Sequence, residues 1–218
     1  MIERILPEGV AGAEVFDDPP GMTLYPEEAA YVAKAVDKRR GEFTAGRHCA
    51  RAALALLGLP PAAIPPGESG APVWPEGVTG SITHCAGYRA AAVSTRALSV
   101  GIDAEPHLPL PDGILDVVSP EEERRTLARL GASDGGRHWD RVLFSAKESV
   151  YKAWCPLARR RLGFEDVLIR LDEDGGFTAT LLVPGPDVAG RLLTGFTGRW
   201  IVANRLIATS VTVPRPSS

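Results

Sequence analysis

The chain has 218 residues, 44% of them hydrophobic, which is enough to bury a core as one large domain or two small ones. Its net charge of −3 and its pI of about 5.8 argue against nucleic acid as the main partner. No stretch approaches the roughly 18 apolar residues of a membrane span, and MIERILPEGV lacks the features of a signal peptide. Three cysteines without metal or disulfide spacing favour a reduced, cytoplasmic protein.

The first half of the chain is predicted to place two helices before three strands. Gly58, followed by Pro60 and Pro61, is typical of a helix C-terminus, and the proline and glycine content from 60 to 80 indicates a loop. The predicted helices span 26–37 and 41–57, and the predicted strands, antiparallel and joined by tight turns, span 80–85, 88–95 and 97–103.

The second half repeats this order. Ser119-Pro-Glu-Glu122 combines an N-cap with a capping-box glutamate and predicts a helix to about Leu130. A longer helix is predicted at 144–158, followed by strands at 164–171, 176–183, 199–204 and 206–213, the first two of which flank a hairpin turn.

Helices followed by strands, twice over, predict an α+β fold in which two similar halves form a pseudo-dimer. The seam is expected near residues 103–112, and we divide the chain into an N-terminal half, 1–104, and a C-terminal half, 105–218. The division rests on element order, because the two halves share no visible sequence repeat.

Two carboxylates end the third predicted strand, in Val100-Gly-Ile-Asp-Ala-Glu105. Alternation along a strand puts Asp103 and Glu105 on one face, where they repel each other unless a cation lies between them or one is protonated. Hard oxygen ligands at this spacing suit Mg²⁺, which completes its shell with water and substrate phosphates. Two solvated acids at a strand end are the alternative.

The segment Phe144–Trp154, FSAKESVYKAW, places charges on a helix among aromatic side chains. Glu148 and Lys152 have the spacing and order of a helix ion pair, and Ser145 with Glu148 also matches a capping box. The aromatic residues indicate a buried wall, so charges at its rim are candidates for a chemical role. Cap, ion pair and functional group are thus three explanations of Glu148.

Polar side chains suited to phosphate lie on the first predicted strand. Ser81 and Thr83 offer hydroxyl donors at a strand edge, and the preceding Gly80 permits close backbone approach. His84 is a candidate phosphate donor, and a purely structural histidine is the alternative.

The basic run Lys38-Arg39-Arg40 and the later Arg47 are also candidates for phosphate. The planar arginine fork matches phosphate with two parallel hydrogen bonds. An ordinary solvated helix start is the alternative.

Four stretches, taken in order, resemble the 4′-phosphopantetheinyl transferases of the larger, monomeric type that activate surfactin and enterobactin synthases, specifically the enterobactin-like branch. They are Lys38-Arg39 with EFTAGRHCA (42–50), GAPVWPEGVTGSITHC (70–85), GIDAE (101–105) and FSAKESVYKAW (144–154). The last two match the family's signatures, and no motif matches after about residue 160.

The resemblance implies a pseudo-dimer of two α+β halves, with coenzyme A (CoA) as co-substrate and Mg²⁺, or Mn²⁺ in its place, in the cleft between them. Asp103, Glu105 and Glu148 match the family's metal-binding acids. Contacts to CoA are predicted at Arg39, Arg47, Ser81, Thr83, His84 and Lys152. One position departs from the pattern, because Ala71 stands where many relatives carry a basic residue before the proline.

The implied reaction moves 4′-phosphopantetheine from CoA to a serine of an acyl or peptidyl carrier protein and releases adenosine 3′,5′-bisphosphate. Glu148 is the expected general base, directly or through a metal-bound water, and Lys152 the catalytic cation. Arg159, Arg160 and Arg161 either meet the acidic helix of the carrier or simply end a helix. A monomer serving secondary metabolism, with siderophore, polyketide or non-ribosomal peptide products, is expected.

Two other functions use the same residues. A Mg²⁺-dependent phosphohydrolase of a CoA-like nucleotide would need no carrier protein. A non-catalytic module would dock carriers without reacting, although the presence of all three acids and Lys152 argues against decay.

Overall fold

The computed structural model describes residues 1–67 and 70–215, which form two main antiparallel sheets with helices packed on them. The helices are α1 (Pro26–Val32), α2 (Asp37–Leu56), α3 (Ile114–Val118), α4 (Glu121–Ser133) and α5 (Trp139–Ala158), and 3₁₀ turns lie at Ile2–Ile5 and Phe164–Asp166. The strands are β1 (Ala11–Phe16), β2 (Thr79–Cys85), β3 (Tyr88–Ser94), β4 (Ala97–Pro106), β5 (Val167–Leu171), β6 (Gly176–Leu181), β7 (Asp187–Val188), β8 (Arg191–Leu192), β9 (Gly195–Ala203) and β10 (Leu206–Pro214). None of the helices described is long and apolar enough to span a membrane.

The smaller sheet has the order β1–β3–β2, with α2 packed on it. Every residue of β3 is buried: Ala91 and Val93 pack on the apolar face of α2, and Ala90 and Ala92 pack on the side of β4. The predicted strands at 80–85 and 88–95 are confirmed. Strand β1 was not predicted, because its sequence, AGAEVF, buries only Gly12 completely and alternates weakly.

The larger sheet has the order β4–β10–β9–β6–β5, and α5 lies across one face. Both predicted hairpins of the C-terminal half, β5–β6 and β9–β10, are present. The core between sheet and helix is rich in large side chains, among them Trp139, Leu143, Val150, Trp154, Ile169, Phe177, Trp200, Ile207 and Val211.

Strand β4 leaves the smaller sheet and joins the larger one. We expected it to continue the sheet of β2 and β3, but it hydrogen-bonds to β10 instead. Side chains join it to β2: the Ile102 amide donates to Ser81 Oγ at 3.1 Å, and the Ala104 amide donates to Thr83 Oγ1 at 3.0 Å. The predicted boundary between 104 and 105 falls inside this strand.

Two helix starts differ from the prediction. The helix predicted at 41–57 begins already at Asp37 and contains the basic run, while the helix before it ends at Val32 rather than at 37. Gly41 lies within α2. Helix α5 begins at Trp139, upstream of the predicted start at 144.

The predicted capping box at Ser119 is wrong, and the capping-box alternative for Ser145 is excluded. Ser145 lies within α5 and has no helix start to cap. Pro120 takes the N-cap position of α4, and the Ser119 hydroxyl donates to the Pro120 carbonyl at 3.2 Å. The carboxylates of Glu122 and Glu148 are therefore not held as caps.

Helix α5 approaches β4 closely at Gly101. A Cβ atom at this position would lie 2.0 Å from the Ser149 carbonyl oxygen and 2.7 Å from the Ala153 amide nitrogen. The Ser99 hydroxyl donates to the Ala153 carbonyl at 2.6 Å. Because no side chain separates strand from helix here, the next residues of β4 meet α5 directly.

A buried ion pair anchors the other side of α5. Lys147 Nζ lies 2.9 Å from Glu123 Oε2 of α4, and both side chains are 1% exposed. The ammonium also donates to the carbonyls of Phe164 at 2.8 Å and Val167 at 3.0 Å. Lys147, inside the signature segment, therefore joins α5 to α4 and to the start of β5.

We expect Gly101→Ala to destabilise the protein by about 2 kcal/mol or more, because the added methyl group overpacks the contact with the Ser149 carbonyl. The measurement is the free energy of unfolding in urea. Gly131→Ala is the matched control, since nothing lies within 4 Å of the added Cβ in helix α4. An unchanged stability of the Gly101 variant would contradict the close packing.

Candidate active site

Three polar side chains of α5 lie on the face that meets β4: Ser145, Glu148 and Lys152. The Lys152 ammonium donates to Asp103 Oδ1 at 2.8 Å and to the Ile102 carbonyl at 3.0 Å. The predicted helix ion pair of Glu148 with Lys152 is not formed among the described residues. Lys152 instead joins the signature helix to the acid of β4.

Asp103 is buried and receives three donors. Besides Lys152, Thr83 donates to Oδ1 at 3.3 Å, and Ser145 donates to Oδ2 at 2.9 Å. The donors come from β2 and α5, so the carboxylate lies where the two sheets and the signature helix meet. Its position in the fold thus depends on three separate elements.

Glu105 is held by an arginine that the sequence did not single out. Arg141 Nη1 lies 2.9 Å from Glu105 Oε2, and the same guanidinium donates to the carbonyls of Leu108 and Pro109. Burial raises the pKa of Glu105, Asp103 raises it further, and Arg141 opposes both. Arg141 lies on α5 before the signature segment. The sequence would have pointed to this arginine only if the helix had been predicted to begin at Trp139 rather than at 144.

Burial raises the pKa of Glu148 as well, with Asp103 raising it further and Lys152 lowering it. A carboxylate whose pKa is raised accepts a proton more readily at neutral pH. The three acids therefore share one electrostatic environment, in which Asp103 influences both of the others.

These acids suit a hard cation, since all three offer carboxylate oxygens and their mutual repulsion would be relieved by a divalent ion. Within the described part of the chain, however, no three acidic, histidine or cysteine side chains form a ready-made metal cage. Two of the acids form salt bridges with protein cations: Asp103 with Lys152, and Glu105 with Arg141.

On the N-terminal half, Arg39 and His84 lie together at the ends of α2 and β2. Arg39 Nη1 is 3.1 Å from His84 Nε2, and Glu42 Oε2 is 3.9 Å from His84 Nδ1. Burial lowers the pKa of His84; Glu42 opposes this effect, and the charges of Arg39 and Lys152 add to it. The lowered pKa favours the neutral ring at neutral pH.

Arg47 is buried rather than exposed. Its Nε donates to the Ile64 carbonyl at 3.0 Å, and its guanidinium lies 3.9 Å from the centre of the Phe43 ring. Burial lowers its pKa to about 10, so it stays charged at neutral pH. Its Nη2 has no hydrogen-bond partner among the described residues, which leaves a buried donor available to an anion.

The structure corrects the prediction for Ser81 and Thr83. Their side chains are buried, and both hydroxyls accept hydrogen bonds from amides of β4. They join the two sheets rather than offering free donors at an open strand edge.

The arginine run after α5 divides into two kinds of residue. Arg160 donates to the Pro184 carbonyl and lies 4.9 Å from the centre of the Trp154 ring, so it has a structural role. Arg159 takes a left-handed conformation at the helix C-terminus, and it is exposed, as are Arg160 and Arg161.

The chain matches known protein families along most of its length. The profile described as 4′-phosphopantetheinyl transferase N-terminal domain matches residues 27–94, and that of the 4′-phosphopantetheinyl transferase superfamily matches 99–203. The chain is 53% identical to 4′-phosphopantetheinyl transferase Svp of Streptomyces mobaraensis, over 100% of this chain and 91% of the relative. The chain belongs to the 4′-phosphopantetheinyl transferases.

Other relatives refine this placement within the transferases. PptT of Mycobacterium tuberculosis is 48% identical, over 97% of both chains, and Npt of Nocardia iowensis is 51% identical, over 97% of this chain and 99% of its own. Enterobactin synthase component D of Salmonella typhi is 35% identical over only 54% of this chain and 49% of its own. The predicted enterobactin-like branch is therefore a more distant resemblance.

In this transferase, we expect Arg141→Met to lower the free energy of unfolding by about 2 kcal/mol, because it leaves a partly buried carboxylate and two carbonyls without a donor. Arg125→Met is the matched control and should change stability by less than about 0.5 kcal/mol, since the Arg125–Glu121 pair is exposed. Equal effects in urea unfolding would argue that Arg141 does not hold Glu105.

Proposed function

We propose that this transferase moves the 4′-phosphopantetheine group of CoA to a serine of an acyl or peptidyl carrier protein, leaving adenosine 3′,5′-bisphosphate. The observation that carries the proposal is the position of Lys152. Its ammonium binds Asp103 at 2.8 Å, and the same Asp103 oxygen accepts from Thr83, the residue before His84, at 3.3 Å. The acids suited to a metal and the basic groups suited to phosphate therefore belong to one site.

The N-terminal half, 1–104, would supply the contacts to CoA. The buried Nη2 of Arg47 lacks a partner among the described residues, and the neutral ring of His84 carries an Nδ1 proton when Nε2 accepts from Arg39. Arg39 is exposed and adds a cation beside His84. These features support Arg39, Arg47 and His84 as phosphate contacts, whereas the small side chain of Ala71 adds none.

The C-terminal half, 105–218, would hold Glu105 and Glu148 and, with Asp103, bind Mg²⁺ or Mn²⁺. When bound, the ion would supply positive charge to the pyrophosphate. The protein's own residues would orient the CoA phosphates and the serine of the carrier protein. Lys152 donates to Asp103, which also accepts from Thr83 next to His84, so its ammonium would neutralise charge on phosphates bound there.

The reaction joins the serine oxygen to the β-phosphorus of CoA and breaks the bond from that phosphorus to its bridging oxygen, which leaves with the bisphosphate. Glu148 takes the proton of the serine hydroxyl, directly or through water. A carboxylate that binds a divalent cation has a lowered pKa and is a weak base, which favours the route through water.

The carrier would approach the end of α5, where Arg159 and Arg161 are exposed. Carriers of siderophore, polyketide or non-ribosomal peptide synthesis are our proposed partners. We also propose a cytoplasmic monomer, which the free cysteines Cys49, Cys85 and Cys155 support for a reducing compartment.

The test is intact mass spectrometry of an apo carrier protein incubated with this chain, CoA and Mg²⁺, with and without EDTA. We expect a gain of one phosphopantetheine group, abolished by EDTA. Degradation of CoA without a gain in carrier mass would favour a phosphohydrolase. Untouched CoA and unmodified carriers of all three pathways would favour a module that only docks carriers.

We expect Glu148→Gln to lower turnover in this assay by at least about a hundredfold, because the amide cannot accept the serine proton. Glu122→Gln, at an exposed position of α4, is the matched control and should leave turnover unchanged. Near-normal turnover of a folded Glu148→Gln protein would exclude Glu148 as the base.

A further inference from the structure

Strand β10 carries no family motif, yet one of its side chains reaches the candidate site. Thr209 pairs with Asp103 across the β10–β4 ladder, and its side chain is fully buried. Its Oγ1 lies 3.0 Å from Ser145 Oγ and 2.9 Å from the Ser145 carbonyl oxygen. Ser145 Oγ in turn lies 2.9 Å from Asp103 Oδ2.

The available protons determine the direction of these hydrogen bonds. Each hydroxyl has one proton, and an ionised carboxylate only accepts. Ser145 must therefore donate to Asp103, and Thr209 donates to the Ser145 carbonyl. The hydroxyl of a serine inside a helix ordinarily donates to the carbonyl one turn before it. The Ser145 hydroxyl donates to Asp103 of another element instead, which makes this hydrogen bond a tertiary contact.

This arrangement connects two acids on different elements. Glu148 follows Ser145 by three residues, so both lie on the same face of α5. Thr209 holds the backbone of α5 at Ser145, and Ser145 holds the carboxylate of β4. The separation and the orientation of Asp103 and Glu148 are thus set through the two hydroxyls.

We propose that Ser145 and Thr209 are positioning residues that hold Asp103 and Glu148 in register for a divalent cation. The proposal rests on the metal-dependent function proposed above. Neither hydroxyl touches the reacting atoms; their effect passes through Asp103 and the backbone of α5. Removing a polar group that orients a metal ligand typically weakens metal binding by about 10–100-fold.

Thr209→Val is the informative substitution because it removes the hydroxyl and keeps the volume. The Ser145 carbonyl keeps its hydrogen bond within the helix, so we expect only a small loss of stability. Ser145→Ala removes the other hydroxyl, and Thr209→Ser restores the first. Thr212→Val is the matched control on the same strand, because its buried Oγ1 has no hydrogen-bond partner among the described residues.

The experiment titrates Mn²⁺ into the purified full chain without CoA, by calorimetry and by electron paramagnetic resonance. Thermal unfolding without metal reports the fold of each variant. We expect Thr209→Val and Ser145→Ala to weaken Mn²⁺ binding at least about tenfold. Thr209→Ser and Thr212→Val should bind like the unaltered protein.

A folded Thr209→Val protein that binds Mn²⁺ as tightly as the unaltered chain would overturn the proposal and leave the transferase function intact. Equal weakening by Thr212→Val would also overturn it, since the effect would then belong to β10 in general. Failure of the unaltered chain to bind Mn²⁺ would overturn the positioning role, whereas the metal dependence of the transfer is decided separately by the EDTA arm of the carrier assay. If Thr209→Val does not fold, Ser145→Ala gives the same decision.

Discussion

The contact of α5 with β4 at Gly101 is the constraint on which the candidate site depends. A glycine there lets the helix backbone lie against the strand, with a would-be Cβ only 2.0 Å from the Ser149 carbonyl. Asp103 follows two residues later and therefore meets Ser145 and Lys152 within hydrogen-bonding distance. The side chains of two motifs that are far apart in the sequence come together because one position has no side chain.

Polar contacts then fix this helix on its other sides. Lys147 binds Glu123 in the interior, and Arg141 binds Glu105 near the start of α5. Ser81 and Thr83 join the smaller sheet to β4 through its amides. The site thus lies at a junction of both sheets, and both halves of the molecule supply acids to it: Asp103 from the N-terminal half, Glu105 and Glu148 from the C-terminal half.

Much of this arrangement was predictable from the sequence. The remainder was not predictable, and the reasons are physical. The acids and Lys152 belong to local motifs, and the C-terminal hairpins have strong turn signals. The partner of β4 is set by a strand about 100 residues away, and strand periodicity carries no information on which strand pairs with which. Arg141 and Thr209 became visible only when the fold brought them to Glu105 and Asp103. The roles of Ser81 and Thr83 were misjudged because burial between sheets cannot be read from a single strand.

The position of β10 in the larger sheet means that the signature residues alone do not show whether a chain of this family is intact. It lies between β4 and β9, so it alone connects the strand that carries Asp103 to the rest of its sheet. A frameshift or proteolytic cut after β9 would keep every signature residue. The same cut would remove Thr209 and leave β4 without its ladder partner. A survey that scores the motifs alone would count such a truncated product as a working enzyme, although its acids had lost the scaffold that aligns them.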